Sequence, residues 1–269
     1  GKTWKLVSDV RTTFNAVQAD PQRPTTLYAA ADDWGAFRSL DNGLTWQPFN
    51  QGIIARYIAS YLVDTHQYCG TAFDPQNGGL YRDGVLVLPG LSIFTITKLD
   101  RYYAGTNQGL YASEDGINWN RTLGPEHQIY AIGKVNNMLL AGGTDGLYIG
   151  NTLHPIGTVQ SIADKWIAST NGLFMLEDDT PRKLDFPGHA PTLLFANANT
   201  LFVATNSGFW INKNGSWKKR GNGISEISQI KTIWFDGRYH AFCARTNTLY
   251  TSLDGEAWEA SKRFTIPGK

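Results

Sequence analysis

The side chains with the most chemical potential in this chain stand in short polar stretches between apolar runs. They are Asp32-Asp33-Trp34, Arg56, Glu126-His127, His189, Glu226 and Arg245. An indole beside two carboxylates suits two tasks, stacking on the face of a sugar ring or anchoring a protein partner. The same ring could instead pack over the edge of its own sheet. Asp33 and Glu226 would have the makings of a glycosidase pair if the fold set their carboxyls about 5–10 Å apart. The histidines, at 66, 127, 154, 189 and 240, have no metal-ligand spacing. No Gly-x-Ser-x-Gly elbow, phosphate loop or Cys-x-x-Cys pair occurs. The reading is therefore no metal, no cofactor and no self-evident nucleophile.

What must position these residues is a repeat. A Gly followed by an apolar and an aromatic residue recurs as Gly35-Ala36-Phe37, Gly79-Leu80-Tyr81, Gly109-Leu110-Tyr111, Gly146-Leu147-Tyr148, Gly172-Leu173-Phe174 and Gly208-Phe209-Trp210, with Thr248-Leu249-Tyr250 as a copy lacking the Gly. Short apolar runs such as Tyr102–Thr106 and Leu201–Thr205 precede them. They are too short for helices, rich in aromatics and bounded by Gly, Asn and Asp, so they read as strands. Each unit parses as four strands, A to D, and seven units fill the 269 residues. The A strands are expected near Thr13–Ala19, Tyr57–Val63, Ser92–Leu99, Ile129–Val135, Val159–Ala163, Thr192–Ala196 and Ile230–Phe235. In the third unit, B falls near Tyr102–Thr106, C near Gly109–Ser113 and D near Asn118–Leu123.

Between C and D lies a second motif. It runs Ser39-Leu40-Asp41-Asn42-Gly43-Leu44-Thr45-Trp46, and returns as Ser113-Glu114-Asp115-Gly116-Ile117-Asn118-Trp119 and Ser252-Leu253-Asp254-Gly255-Glu256-Ala257-Trp258. Asn212–Trp217 is a weaker copy. The Asp is placed to accept hydrogen bonds from the following backbone N–H groups, and the Gly to supply a positive φ. The second unit has only Arg82-Asp83-Gly84 here, a tight hairpin turn. The fourth and fifth units lack the motif.

This pattern resembles the Asp-box (BNR) repeat over essentially the whole chain. The resemblance implies an all-β, seven-bladed propeller of four-stranded antiparallel blades over 1–269 as one domain, with the Asp-box corners on the outer rim. It also implies that the D-to-A and B-to-C loops share the opposite face around the channel. The polar residues named above fall in those loops, together with Arg11, Asp74 and Asp145. Sialidases carry the Asp box, but their Arg-Ile-Pro signature is missing here. Xyloglucanase-like enzymes pair two such modules across a cleft, so one module would hold half a site. The preferred reading is a non-enzymatic binding or scaffold propeller engaging a protein or glycan, as in sortilin-type receptors and photosystem II assembly factors. A sialidase- or xyloglucanase-like hydrolase is the alternative. The resemblance favours an extracellular or cell-surface location.

The totals agree. A net charge of +1 and the lack of a Lys/Arg stripe argue against a nucleic-acid partner. No apolar run reaches the roughly 18 residues a membrane span needs. Cys69 and Cys243 fall in non-adjacent units among small residues, and read as buried free thiols. Trp4–Val7 resembles a surplus D strand, ring-closing or extra, which makes the last blade five-stranded or marks the chain as cut from a longer array of blades.

Overall fold

The computed structural model describes residues 14–31, 34–43, 45–50, 52–124, 127–197, 200–206, 208–220, 224, 230–235, 237–243 and 248–263. It is a seven-bladed β-propeller, with 28 strands among the described residues and each blade a four-stranded antiparallel sheet of consecutive strands. Numbering β1–β28 in chain order, the first strands of the blades are β1 (Phe14–Asp20), β5 (Ile58–Val63), β9 (Ile93–Lys98), β13 (Ile129–Val135), β17 (Val159–Ala163), β21 (Pro191–Asn197) and β25 (Ile230–Phe235). Each adjoins the first strand of the next blade, and β25 adjoins β1, so they ring a common axis.

Blade 7 has Glu259–Arg263 as its fourth strand and blade 1 has Gln47–Pro48. Trp4–Val7 lies outside the described residues. Among the described residues, blades 1 and 7 meet through side chains: Trp46 of blade 1, 2% exposed, packs with Phe242 and Leu249 of blade 7. That pattern is general, because a blade can bury both faces only against its neighbours. Tyr68 and Leu80 of blade 2 meet Ile93, Ile96 and Tyr102 of blade 3. Phe202, Phe209 and Ile211 of blade 6 meet Tyr239, Tyr250 and Trp258 of blade 7. Cys69 and Cys243 are buried in two such layers, with no disulfide between them.

The Ser-x-Asp corners hold their turns as the residue types suggest. The Asp115 Oδ1 accepts the N–H groups of Ile117 and Asn118 at 2.8 Å each, and Ser113 Oγ accepts that of Gly116. Asp254 accepts from Glu256 and Ala257, and Asp41 from Thr45. Gly43, Gly116 and Gly255 have φ of +80°, +71° and +77°. Because Asp115 captures those N–H groups, the fourth strand of blade 3 starts at Asn120 rather than at Asn118.

Gly116 and Gly255 also touch the preceding blade. A Cβ on Gly116 would collide with the Tyr68 hydroxyl, and one on Gly255 would lie 2.5 Å from Phe202 Cε1. These two corners thus each cap a buried aromatic of the neighbouring blade. At the same end, blades 2 and 3 share a polar tie. Lys98 Nζ and the Tyr102 hydroxyl donate to Asp64 Oδ2 at 2.8 and 2.6 Å. Burial opposes ionisation of Asp64, but these hydrogen bonds and the His66 N–H outweigh it and hold the pKa at about 2. The same pairing lifts Lys98 to about 12.

Candidate functional site

The D-to-A and B-to-C loops gather at one end of the ring, opposite the Asp corners. Among the residues expected to form a site there, Asp32, Asp33, Glu126, Glu226 and Arg245 lie outside the described residues, as does Arg11. The expected hydrolase pair, Asp33 and Glu226, is among them.

The others fall in three places. Trp34, 36% exposed, precedes Gly35, whose N–H donates to the Arg56 carbonyl at 3.2 Å. The B-to-C loop of blade 1 is thereby tied to the D-to-A loop entering blade 2. On blade 4, His127 Nδ1 lies 2.6 Å from Asp145 Oδ2, and its ring packs 4.9 Å from Tyr148. His189 is exposed, beside a cavity of about 230 Å³ that Thr170, Asn171 and Phe186 also line.

Between Arg56 and His127 runs a feature that the polar residues did not announce. Four aromatic rings follow one another across blades 2, 3 and 4: Tyr57 to Phe73 at 5.3 Å, Phe73 to Phe94 at 6.3 Å, and Phe94 to Tyr130 at 5.1 Å. Tyr57 directly precedes β5, while Phe94 and Tyr130 sit near the starts of β9 and β13. All lie at the loop end of the innermost strands. Burial raises the Tyr130 pKa, and its hydroxyl donates to Gln128 Oε1 at 2.7 Å. Ile54, 68% exposed, adds apolar surface in the adjoining loop.

Phe73 is the centre of the row. It is 72% exposed and has a φ of +57°, a left-handed conformation that costs a residue with a Cβ about 1–2 kcal/mol. The loop imposes it through a complete set of bonds. Ala72 N–H donates to the Tyr57 carbonyl at 3.1 Å, and Phe73 N–H to Ser92 Oγ at 3.1 Å. Asp74 Oδ1 accepts from Gln76 and Asn77, and the Tyr81 hydroxyl caps the Asn77 carbonyl at 2.6 Å. An exposed aromatic ring is thus carried by a hydrogen-bonded loop, at a strained φ, next to the rings of Tyr57 and Phe94. Strain of this kind gathers at functional sites. The one sequence signal was the loop itself, Ala72–Gly78, which carries an aromatic residue in a longer B-to-C connection than its siblings.

No protein-family model and no curated protein matches this chain. Its likeness is to solved structures. One is the extracellular domain of the putative hybrid two component system BT3049 of B. thetaiotaomicron, at 15% identity and a TM-score of 0.65, over 93% of this chain and 40% of that one. A second is YCF48 of Cyanidioschyzon merolae, at 14% identity and a TM-score of 0.60, over 90% and 96%. YCF48 also matches in a structure bound to D1 peptide, with a TM-score of 0.61. A third is the GH74 enzyme of Niastella koreensis, at 14% identity and a TM-score of 0.56, over 93% and 59%. This chain spans about two-fifths of the BT3049 chain and three-fifths of the enzyme. Likeness at such identities establishes the fold, a propeller shared by proteins with different tasks.

Proposed function

We propose that this chain is a binding propeller that takes up an extended segment of a protein partner on the loop face, along the row Tyr57, Phe73, Phe94 and Tyr130. The observation that carries the proposal is Phe73, exposed and strained, at the middle of a continuous aromatic row. Aromatic anchors of this type dominate protein recognition, because they cover much apolar area with few rotatable bonds. Arg56 at one end and the His127–Asp145 pair at the other supply the polar rim that such an interface needs. The peptide-bound YCF48 supports the reading to the extent that the same fold in that protein accommodates a peptide. The hydrolase alternative rests on Asp33 and Glu226, which lie outside the described residues.

The test is selection of peptides from a displayed random library on the immobilised chain, counter-screened with Phe73→Asn. Asn suits a left-handed φ, so the loop should keep its shape while the ring is removed. Selected peptides should be rich in apolar and aromatic residues and should bind the variant at least about tenfold more weakly, the loss of one buried aromatic anchor. Peptides that bind both forms equally would refute the site.

A further inference from the structure

Two of the junctions between blades are sealed in the same way, and a third, between blades 5 and 6, is open. Where an aromatic on the second strand of one blade meets the next blade, it is stacked and covered. Tyr68 of β6 (Gln67–Thr71) lies 4.8 Å from Tyr102 of β10 (Tyr102–Thr106), under Gly116 of the following corner. Phe202 of β22 (Thr200–Thr205) lies 4.7 Å from Tyr239 of β26 (Tyr239–Cys243), under Gly255. Tyr68 and Phe202 are fully buried.

The strand register places Trp166 of β18 (Trp166–Ser169) at the same position in blade 5, since Ser169 pairs with Val159 as Thr71 pairs with Ile58 and Thr205 with Pro191. Here both covers are gone. The residue of blade 6 that stands where Tyr102 and Tyr239 stand is Leu201. The corner is replaced by a tight turn at Asn214-Gly215, with φ of +52° and +82°, and Gly215 has nothing within 4 Å of where a Cβ would stand. The result is a cleft of about 490 Å³, which Trp166, Trp217, Asp164, Asp185, Asn212 and Asn214 help to line. That volume lies within the roughly 300–1,000 Å³ of small-molecule sites.

We propose that this gap between blades 5 and 6 is a carbohydrate-binding cleft, separate from the loop face. Its lining alternates the two kinds of surface that a pyranose presents. The indoles of Trp166 and Trp217 are half-buried, and a flat aromatic face suits the C–H side of a sugar ring. Phe186 fixes the Trp217 indole edge-to-face at 4.8 Å. Around them stand hydroxyl partners. Asp164, Asp185 and Asn214 make no side-chain hydrogen bond to another described residue, and Asn212 uses its Oδ1 for the Gly215 N–H at 3.0 Å. Lys165, whose Nζ sits 5.6 Å from the centre of the Trp166 ring, adds a donor and disfavours a cationic ligand on that face. A neutral polyhydroxyl ligand, a mono- or disaccharide, satisfies the whole set.

The test is saturation-transfer NMR on the full chain with methyl glycosides of glucose, galactose, mannose, xylose and N-acetylglucosamine, with cellobiose and lactose, and with choline as the cationic control. At least one sugar should bind with a dissociation constant on the order of 1 mM. Leu201→Tyr restores the seal found in blades 3 and 7 and should weaken that binding about tenfold or more, as should Trp217→Ala. Asp185→Asn and Asn214→Gly, both at exposed positions and the second suited to the φ of +52°, should weaken it without disturbing the fold. Phe73→Asn should leave it unchanged. The proposal is overturned if no sugar binds, if binding survives both Leu201→Tyr and Trp217→Ala, or if choline binds in place of the sugars.

Discussion

Replacing Gly255 with Ala and, separately, Gly215 with Ala isolates what the Asp corners contribute beyond turning the chain. Both glycines occupy left-handed backbone, with φ of +77° and +82°. The conformational cost of adding a Cβ is therefore the same at each, about 1–2 kcal/mol. Their surroundings differ. At Gly255 the new methyl would stand 2.5 and 2.6 Å from ring carbons of Phe202, which is fully buried and has nowhere to retreat, whereas at Gly215 it meets nothing within 4 Å. Overpacking of this kind adds about 1–3 kcal/mol. Gly255→Ala should thus destabilise by about 2–5 kcal/mol and Gly215→Ala by about 1–2 kcal/mol. Urea unfolding followed by tryptophan fluorescence reads the difference as a lower midpoint at unchanged slope. Equal midpoints for the two variants would refute the idea that the corner locks blade 7 onto blade 6.

Other outcomes follow from the same geometry. Phe73→Asn should raise stability by up to about 1 kcal/mol in the same urea assay, because it relieves the left-handed strain at an exposed position; a marked loss would mean that the ring serves the fold. The depressed pKa of Asp64 gives stability that is complete above its ordinary value of 3.8 and is lost as the pH falls through about 2. With the side chain 18% exposed, the loss should be about 1–2 kcal/mol, and Asp64→Asn should flatten it in unfolding curves taken between those pH values. For Lys98 the sign reverses, with its contribution present below 10.5 and lost as the pH rises through about 12. Burial pushes the Cys69 thiol well above its ordinary range, and both cysteines are buried. Ellman's reagent should therefore react with neither in the native protein and with both in urea; fast native reaction would place a thiol at the surface.

Much of the fold was legible because its punctuation is local. Short apolar runs rich in aromatics and bounded by Gly, Asn and Asp located Ile129–Val135, Val159–Ala163, Ile230–Phe235 and Tyr102–Thr106 at the limits the strands have. The Asp corners were legible too, since a hydroxyl, a carboxylate two residues on and a glycine one or two residues further satisfy one another's hydrogen bonds locally. The candidate sites were much less so. Polar residues in loops drew the eye to Arg56, His127 and His189, which fall at separate points on the face. The aromatic row depends on rings from different blades meeting, and on a positive φ at Phe73 that nothing in a phenylalanine advertises. The open seam needs the register of neighbouring sheets, because Leu201 is unremarkable until it stands where other blades have tyrosine.

The central claim, that the loop face of blades 2–4 captures a peptide, is tested most directly by hydrogen exchange on the full chain with and without a library-selected peptide. Slowed exchange should concentrate in residues 53–58, 72–78, 92–95 and 127–131. Protection confined to the Asp corners or to blades 5–7, with those segments unchanged, would contradict it.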